Sequence, residues 1–112
     1  MEEQMRKRLE ATILRLEEVD RLLMDESVMG DRYRYRDLSK ERAHLEPIVE
    51  KYLEYKRAES NSEDALIMSQ DDDPEIAMMG KEEYKELTAR MEQLIEELKL
   101  LMIPRDPNDW WK

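Results

Sequence analysis

The stretch "GDRYRYRDLSKER" at residues 30–42 alternates Arg32, Arg34 and Arg36 with Tyr33 and Tyr35. On an extended strand the three guanidinium groups share one face and the two rings the other, a basic and aromatic strip of the kind that grips nucleic acid. The rest of the chain argues against that chemistry. It carries 29 acidic against 19 basic residues, a net charge of −10, and polyanions are bound mainly by neutralising their phosphates. Basic proteins are more natural partners. A helical reading also dissolves the strip, because residues two apart on a helix point about 200° from one another. Tyr35 then joins the core and Tyr33 faces outward. Arginines beside the positive end of a helix are mildly unfavourable, which singles out Arg32, Arg34 and Arg36 as the candidate partner-contact residues of the chain.

Other groups with reactive potential lack the company that chemistry needs. Carboxylates abound, but acid–base work requires a dry pocket that separates their pKa values, and a thin helical protein offers few. His44 has Glu41 one turn earlier, yet nothing supplies two further metal ligands at useful spacing. The acidic run Asp71, Asp72, Asp73 lacks the alternation and glycine of a calcium loop, and helix capping accounts for it. Ser27, Ser39, Ser60, Ser62 and Ser69 have no nucleophile context. Two glycines fifty residues apart cannot build a phosphate loop, and without cysteine there is no disulfide or thiolate site. The sequence therefore predicts no catalytic residue, no metal and no cofactor. An enzyme acting on basic substrates would have only the acidity behind it.

These residues must be positioned by helices. Charged residues make up 43% of the 112, with two glycines, four prolines and no phenylalanine, a helical composition with a thin core. A first helix is predicted at about 2–24 from Met5, Leu9, Ile13, Leu16, Val19, Leu22 and Leu23. "DESVMGD" interrupts it at Gly30, with Asp25 or Ser27 suited to a short turn. A second helix, capped by Asp31, runs over about 31–58 and reaches 70 if the ambiguous "AESNSEDALIMSQ" stays helical. Pro47 predicts a kink or a restart inside it, and Ser60 with Glu63 has capping-box spacing. A third helix is predicted at 74–102, with Asp73 as N-cap and Pro74 as first residue. Its Tyr84, Leu87, Met91, Leu94, Leu98 and Leu101 form a heptad seam, and Gly80 offers close approach to a neighbour. Short connections make neighbours antiparallel. The expected fold is all-α, an elongated antiparallel three-helix bundle or helical hairpin with coiled-coil-like packing over 1–103. An extended tail, "PRDPNDWWK" (104–112), follows. The nine methionines fit a core built without phenylalanine. Trp110 and Trp111 want a surface: this bundle, a partner, or the continuation of a cut chain. "MEEQMRKRLE" has no apolar signal-peptide core, and no stretch approaches a membrane span, so a soluble cytoplasmic protein is the default.

Two stretches carry a resemblance. "RDLSKERAHLEPIVEKYLEYK" at 36–56 resembles the N-terminal region of bacterial class I peptide chain release factors, and "LKLLMIPRDPND" at 98–109 resembles that region's exit, in matching register. The exit looks like that of the UAA/UAG-reading type, and "DDDPE" fits between the two. The resemblance implies the first, non-catalytic helical domain of a translation termination factor, mobile and placed near the ribosomal stalk base, with stalk-base protein and the factor's remaining domains as partners. It implies no nucleic-acid site of its own here. The family's Gly-Gly-Gln motif and codon-reading Pro-x-Thr tripeptide are missing, so the chain is expected to correspond to a fragment or a natural truncation. The competing reading is a stand-alone coiled-coil dimer or adaptor that uses its Leu87–Leu101 seam between chains.

Overall fold

A computed structural model describes residues 1–103. It contains four helices in chain order, α1 (Glu3–Leu23), α2 (Glu26–Met29), α3 (Arg32–Met68) and α4 (Pro74–Leu101), and the described residues include no strand. Tyr33 and Tyr35 accordingly lie on a helix. The radius of gyration is 19.4 Å, against about 13 Å for a compact chain of this length. The principal extents of 63 × 37 × 19 Å describe a flat rod. No helix is long and apolar enough to cross a membrane among the described residues.

Helix starts follow from side-chain chemistry. Asp25, Asp31 and Asp73 each accept a hydrogen bond from a backbone N–H of the helix that follows, at Ser27, Arg34 and Glu75, satisfying donors that the first turn leaves free. Pro74 opens α4, where its missing N–H is no loss. The "DESVMGD" stretch does more than turn. It folds as α2 and buries Val28 completely against Val19 and Leu38.

Helix α3 is the shared spine. α4 lies antiparallel along its C-terminal part and α1 packs on α3 as well, while no Cα of α1 comes within 8 Å of α4 among the described residues. The three still share one core through their side chains: Leu9 from α1, Ile48, Tyr52, Tyr55 and Ala58 from α3, and Leu94 and Leu98 from α4. Leu94 and Leu98, in the heptad seam of α4, are wholly buried inside one chain; Leu87, Met91 and Leu101 are half-buried beside them.

Two expectations are corrected and one open alternative is decided. Helix α3 does not restart at Pro47; it is one helix of 37 residues, and of the two extents left open by the sequence it takes the longer, running helical through 59–68. Proline deprives the Ala43 carbonyl of its donor, but Ala43 and Pro47 are both exposed, so water can take the donor's place. Beyond Glu59, the helix is held by Ala58, Ser62 and Ala65, buried at helical spacing; residues this small leave little hydrophobic signal. Their size lets α4 come close. A Cβ built on Gly80 would lie 2.5 Å from Ser69 N, 2.7 Å from Met68 C and 2.9 Å from the Ala65 carbonyl oxygen. Finally, Tyr35 does not join the core: it is 43% exposed and lines an open groove, while Val28 of α2 packs against Leu38. The expected tail at 104–112 lies outside the described residues.

Candidate functional site

Seven of the described arginines fall into two groups, while Arg8, Arg21 and Arg57 stand singly on exposed faces. Arg6, Arg15, Arg42 and Arg90 tie helices together. Arg6 meets Glu59 at 2.7 Å, Arg15 meets Glu41 at 2.6 Å and Arg42 meets Asp20 at 2.6 Å, all between α1 and α3; Arg90 of α4 meets Glu54 of α3 at 2.7 Å. Lys51 adds a contact of 2.9 Å to Glu97. Each guanidinium is held in its charged form by its partner: hydrogen bonding to Glu59, Glu41, Asp20 and Glu54 raises the pKa of Arg6, Arg15, Arg42 and Arg90. The bonds from Arg15 and Lys51 draw the carboxyls of Glu41 and Glu97 below their ordinary range. These pairs are partly solvated, so each adds little stability. Their work is to fix register and to leave no lone charge at a seam.

The second group stands at the start of α3. Arg32, Arg34 and Lys40 make no ion pair among the described residues, and Arg36 reaches only its neighbour Asp37, at 3.2 Å. The sequence placed Arg32, Arg34 and Arg36 together as candidates; the structure brings two of them together. The guanidinium carbons of Arg32 and Arg36 each lie 5.4 Å from the Tyr33 ring centroid, within cation–π range. Arg34 is on another side of the helix, where its charge helps draw the Asp25 carboxyl down, after the larger effect of hydrogen bonds from Ser27. Beside Arg32 and Arg36 runs an open groove of about 720 Å³, completed by Met29, Gly30, Tyr35, Ser39, Lys40 and Ala43. Lys40 was not among the sequence candidates. Its signal was available in the spacing, since 32, 36 and 40 are successive turns of one helix face.

Acid–base chemistry finds no footing at the buried tyrosines of α3. Tyr52 and Tyr55 are buried and stacked at 6.5 Å between centroids. The Tyr52 hydroxyl donates to the Glu10 carboxylate, which also receives Lys56 Nζ at 3.2 Å. Burial first, and then the bond to Glu10, pushes the Tyr52 phenol up to about 12. The same bond draws the Glu10 carboxyl down. A proton donor or acceptor at neutral pH needs a pKa near 7, and this cluster drives its two members away from it. The pair is a clamp between α1 and α3. Glu41, the expected neighbour of His44, is occupied by Arg15. Among the described residues no three His, Cys, Asp or Glu side chains are grouped to hold a metal ion.

Compared with known proteins, the chain matches a family model described as the PCRF domain over residues 13–111. No solved structure matches it.

Proposed function

Since the chain belongs to the PCRF domain family, we propose that it acts in translation termination as the helical, non-catalytic interaction domain of a class I peptide chain release factor of the UAA/UAG-reading type. The match over residues 13–111 carries this reading. The release-factor stretches at 36–56 and 98–109 support it, and so does the absence from the sequence of both a Gly-Gly-Gln motif and a Pro-x-Thr tripeptide. In this reading the domain works in the cytoplasm, is joined to the factor's other domains, and docks near the ribosomal stalk base on stalk-base protein. Its edge at Arg32, Arg34 and Arg36 is the contact surface, with Arg32 and Arg36 forming the continuous part and Arg34 the flank.

The experiment is a pair of measurements on ribosomes programmed with a stop codon. The 112-residue chain should bind them and release no peptide; peptide release by this chain alone would overturn the non-catalytic reading. Charge reversal at Arg32, Arg34 and Arg36 in an intact factor should weaken ribosome association, and unchanged association would remove the contact surface. The coiled-coil alternative is disfavoured by the burial of Leu94 and Leu98 within one chain, and a monomer in sedimentation at micromolar concentration would dispose of it.

A further inference from the structure

One stripe of α3 recurs in steps of four, four and three: Arg32, Arg36, Lys40, Ala43, Pro47 and Lys51, with the same steps leading on to Ala65. A repeat of eleven residues in about three turns runs nearly straight along a helix. From Lys51 onward α4 covers the stripe. Glu97 of α4 meets Lys51 at 2.9 Å, Arg90 meets Glu54 at 2.7 Å, and Gly80 lies against Ala65. This part of the stripe is a seat for a helix, and its lysine is matched by a carboxylate that the seated helix brings. Pro47 borders the last turn of α4 at Leu100 and Leu101. Beyond it, toward the start of α3, the stripe goes on uncovered for about 17 Å. There it walls the open groove of about 720 Å³, which takes no lining residue from α1 or α4.

We propose that this groove seats an acidic amphipathic helix of a partner protein, one that carries carboxylates a turn apart beside apolar side chains. Charge argues for it first. Arg32, Arg36 and Lys40 stand one turn apart, about 6 Å along the axis, and none reaches a carboxylate of another helix among the described residues. Carboxylates at every fourth position of a docked helix rise at the same interval. Arg36 gives up only an exposed contact with Asp37 at 3.2 Å, and such pairs are worth little. Both arginine guanidinium groups already rest 5.4 Å from the Tyr33 ring centroid, so part of the ordering that binding costs is done beforehand. The apolar lining argues next: Met29 is 60% and Tyr35 43% exposed, and both face the groove beside the small Ala43. Continuity argues last, because the groove prolongs a stripe on which α4 already packs. The net charge of −10 does not forbid an acidic partner, since charges farther off than about 8 Å are largely screened at physiological ionic strength. A nucleic acid fits less well, because its phosphates would run on past so short a groove over an acidic protein. This inference rests on the reading of Arg32 and Arg36 as a contact surface and adds the chemistry of what they contact.

The test follows amide resonances of the full chain as a synthetic peptide is added, about 15 residues long so that it holds a helix in water, with glutamate at every fourth position flanked by leucine. Shifts should concentrate at Met29, Tyr35, Ser39 and Ala43. The Arg32→Glu/Arg36→Glu/Lys40→Glu variant, whose own spectrum shows whether it is folded, should bind the peptide about tenfold or more weakly, from the loss of exposed ion pairs and the repulsion that replaces them. The conservative Arg32→Lys/Arg36→Lys variant should keep most of the affinity. A peptide of the same composition with its glutamates dispersed around the helix should bind more weakly. Shifts away from the groove, equal affinity for the charge-reversed variant or the dispersed peptide, or tighter binding of a polyuridine strand at the same amides would each overturn the proposal. The ribosome measurement keeps the two readings apart. If charge reversal weakens ribosome association but the peptide does not bind, the acidic helix falls and the contact surface stands. If the peptide binds and ribosome association is unchanged, the acidic helix stands and its partner lies off the ribosome.

Discussion

Helix α3 has two unlike halves. Over 47–68 it is flanked by partners, its buried residues run from Ile48 and Val49 through Tyr52 and Tyr55 to Ala58, Ser62 and Ala65, and the arginine and lysine that cross its seam with α4 each have a carboxylate opposite. Over 32–43 it has α1 and α2 on one side only. There Leu38 is buried while Tyr33 is 61% and Tyr35 43% exposed, and the cations of the open side reach no inter-helix carboxylate. One continuous helix thus carries a structural half and an unpartnered half. The difference teaches that charge pairing here follows packing. Where helix meets helix, a lone charge would be costly and is matched; where only water faces the helix, nothing compels a match, and an unmatched cation is free to serve something else.

The largest expected effect lies in the covered half. Leu98→Ala empties a site with no exposure and should cost about 2–5 kcal/mol in urea unfolding; a cost like that of a surface substitution would mean that α4 does not pack as described. Next comes Gly80→Ala. The added methyl meets backbone atoms that cannot swing away, so overpacking of about 1–3 kcal/mol should exceed the gain of about 1 kcal/mol in helix propensity. If the alanine variant melts higher than the parent, the close crossing is not there.

The clamp between α1 and α3 should show in pH dependence. Tyr52 is held above its ordinary value of 10.0, up to about 12, so its neutral form is the one that folding favours. Its stabilising contribution is complete below pH 10.0 and is lost as pH rises toward about 12. Glu10 and Glu41 are held below their ordinary 4.5, so their contributions are complete above that value and fade as pH falls through the lowered ones. Stability measured from acid to alkali should therefore fall at both ends. Tyr52→Phe should flatten the alkaline fall, and an unaltered alkaline profile in that variant would assign it to other groups.

Smallest are the charge changes, and here the two halves should differ in sign. Arg90→Ala removes a partly solvated bridge to Glu54 and should cost less than about 1 kcal/mol. Arg32→Glu puts an acid into the first turn of α3, which has none, and should stabilise by about 0.3–1 kcal/mol through the helix dipole. A clear loss of stability from Arg32→Glu would mean that Arg32 already has a structural partner and that the open half is not open.

Much of this was legible in residues that carry strong local signals. Asp31, Asp73 and Pro74 marked their helix starts, and the step of Leu94 and Leu98 marked the face of α4 that is buried. Gly80 stood out as a place of close approach. Less legible was anything resting on small side chains or on neighbours distant in sequence. Ala58, Ser62 and Ala65 carry α3 past Glu59 through contacts with α4 that no window of sequence contains. Tyr35 stays outside the core, while Val28, on a four-residue helix where a turn was expected, packs against Leu38. The candidate strip was half legible: Arg32 and Arg36 come together and gain Lys40, while the strict alternation that drew attention to Arg34 has no meaning on a helix.

By itself the sequence determined the class of fold and the axis along which charge and apolar residues segregate, because helical periodicity, capping and chain breakers act over a few residues and need no partner. Which face of α3 each neighbour takes, how near α4 comes, and which cations are left without a carboxylate were decided only by the tertiary structure. Those outcomes depend on the packing of surfaces brought together from distant parts of the chain, and a helix does not carry within its own residues the identity of what will lie against it.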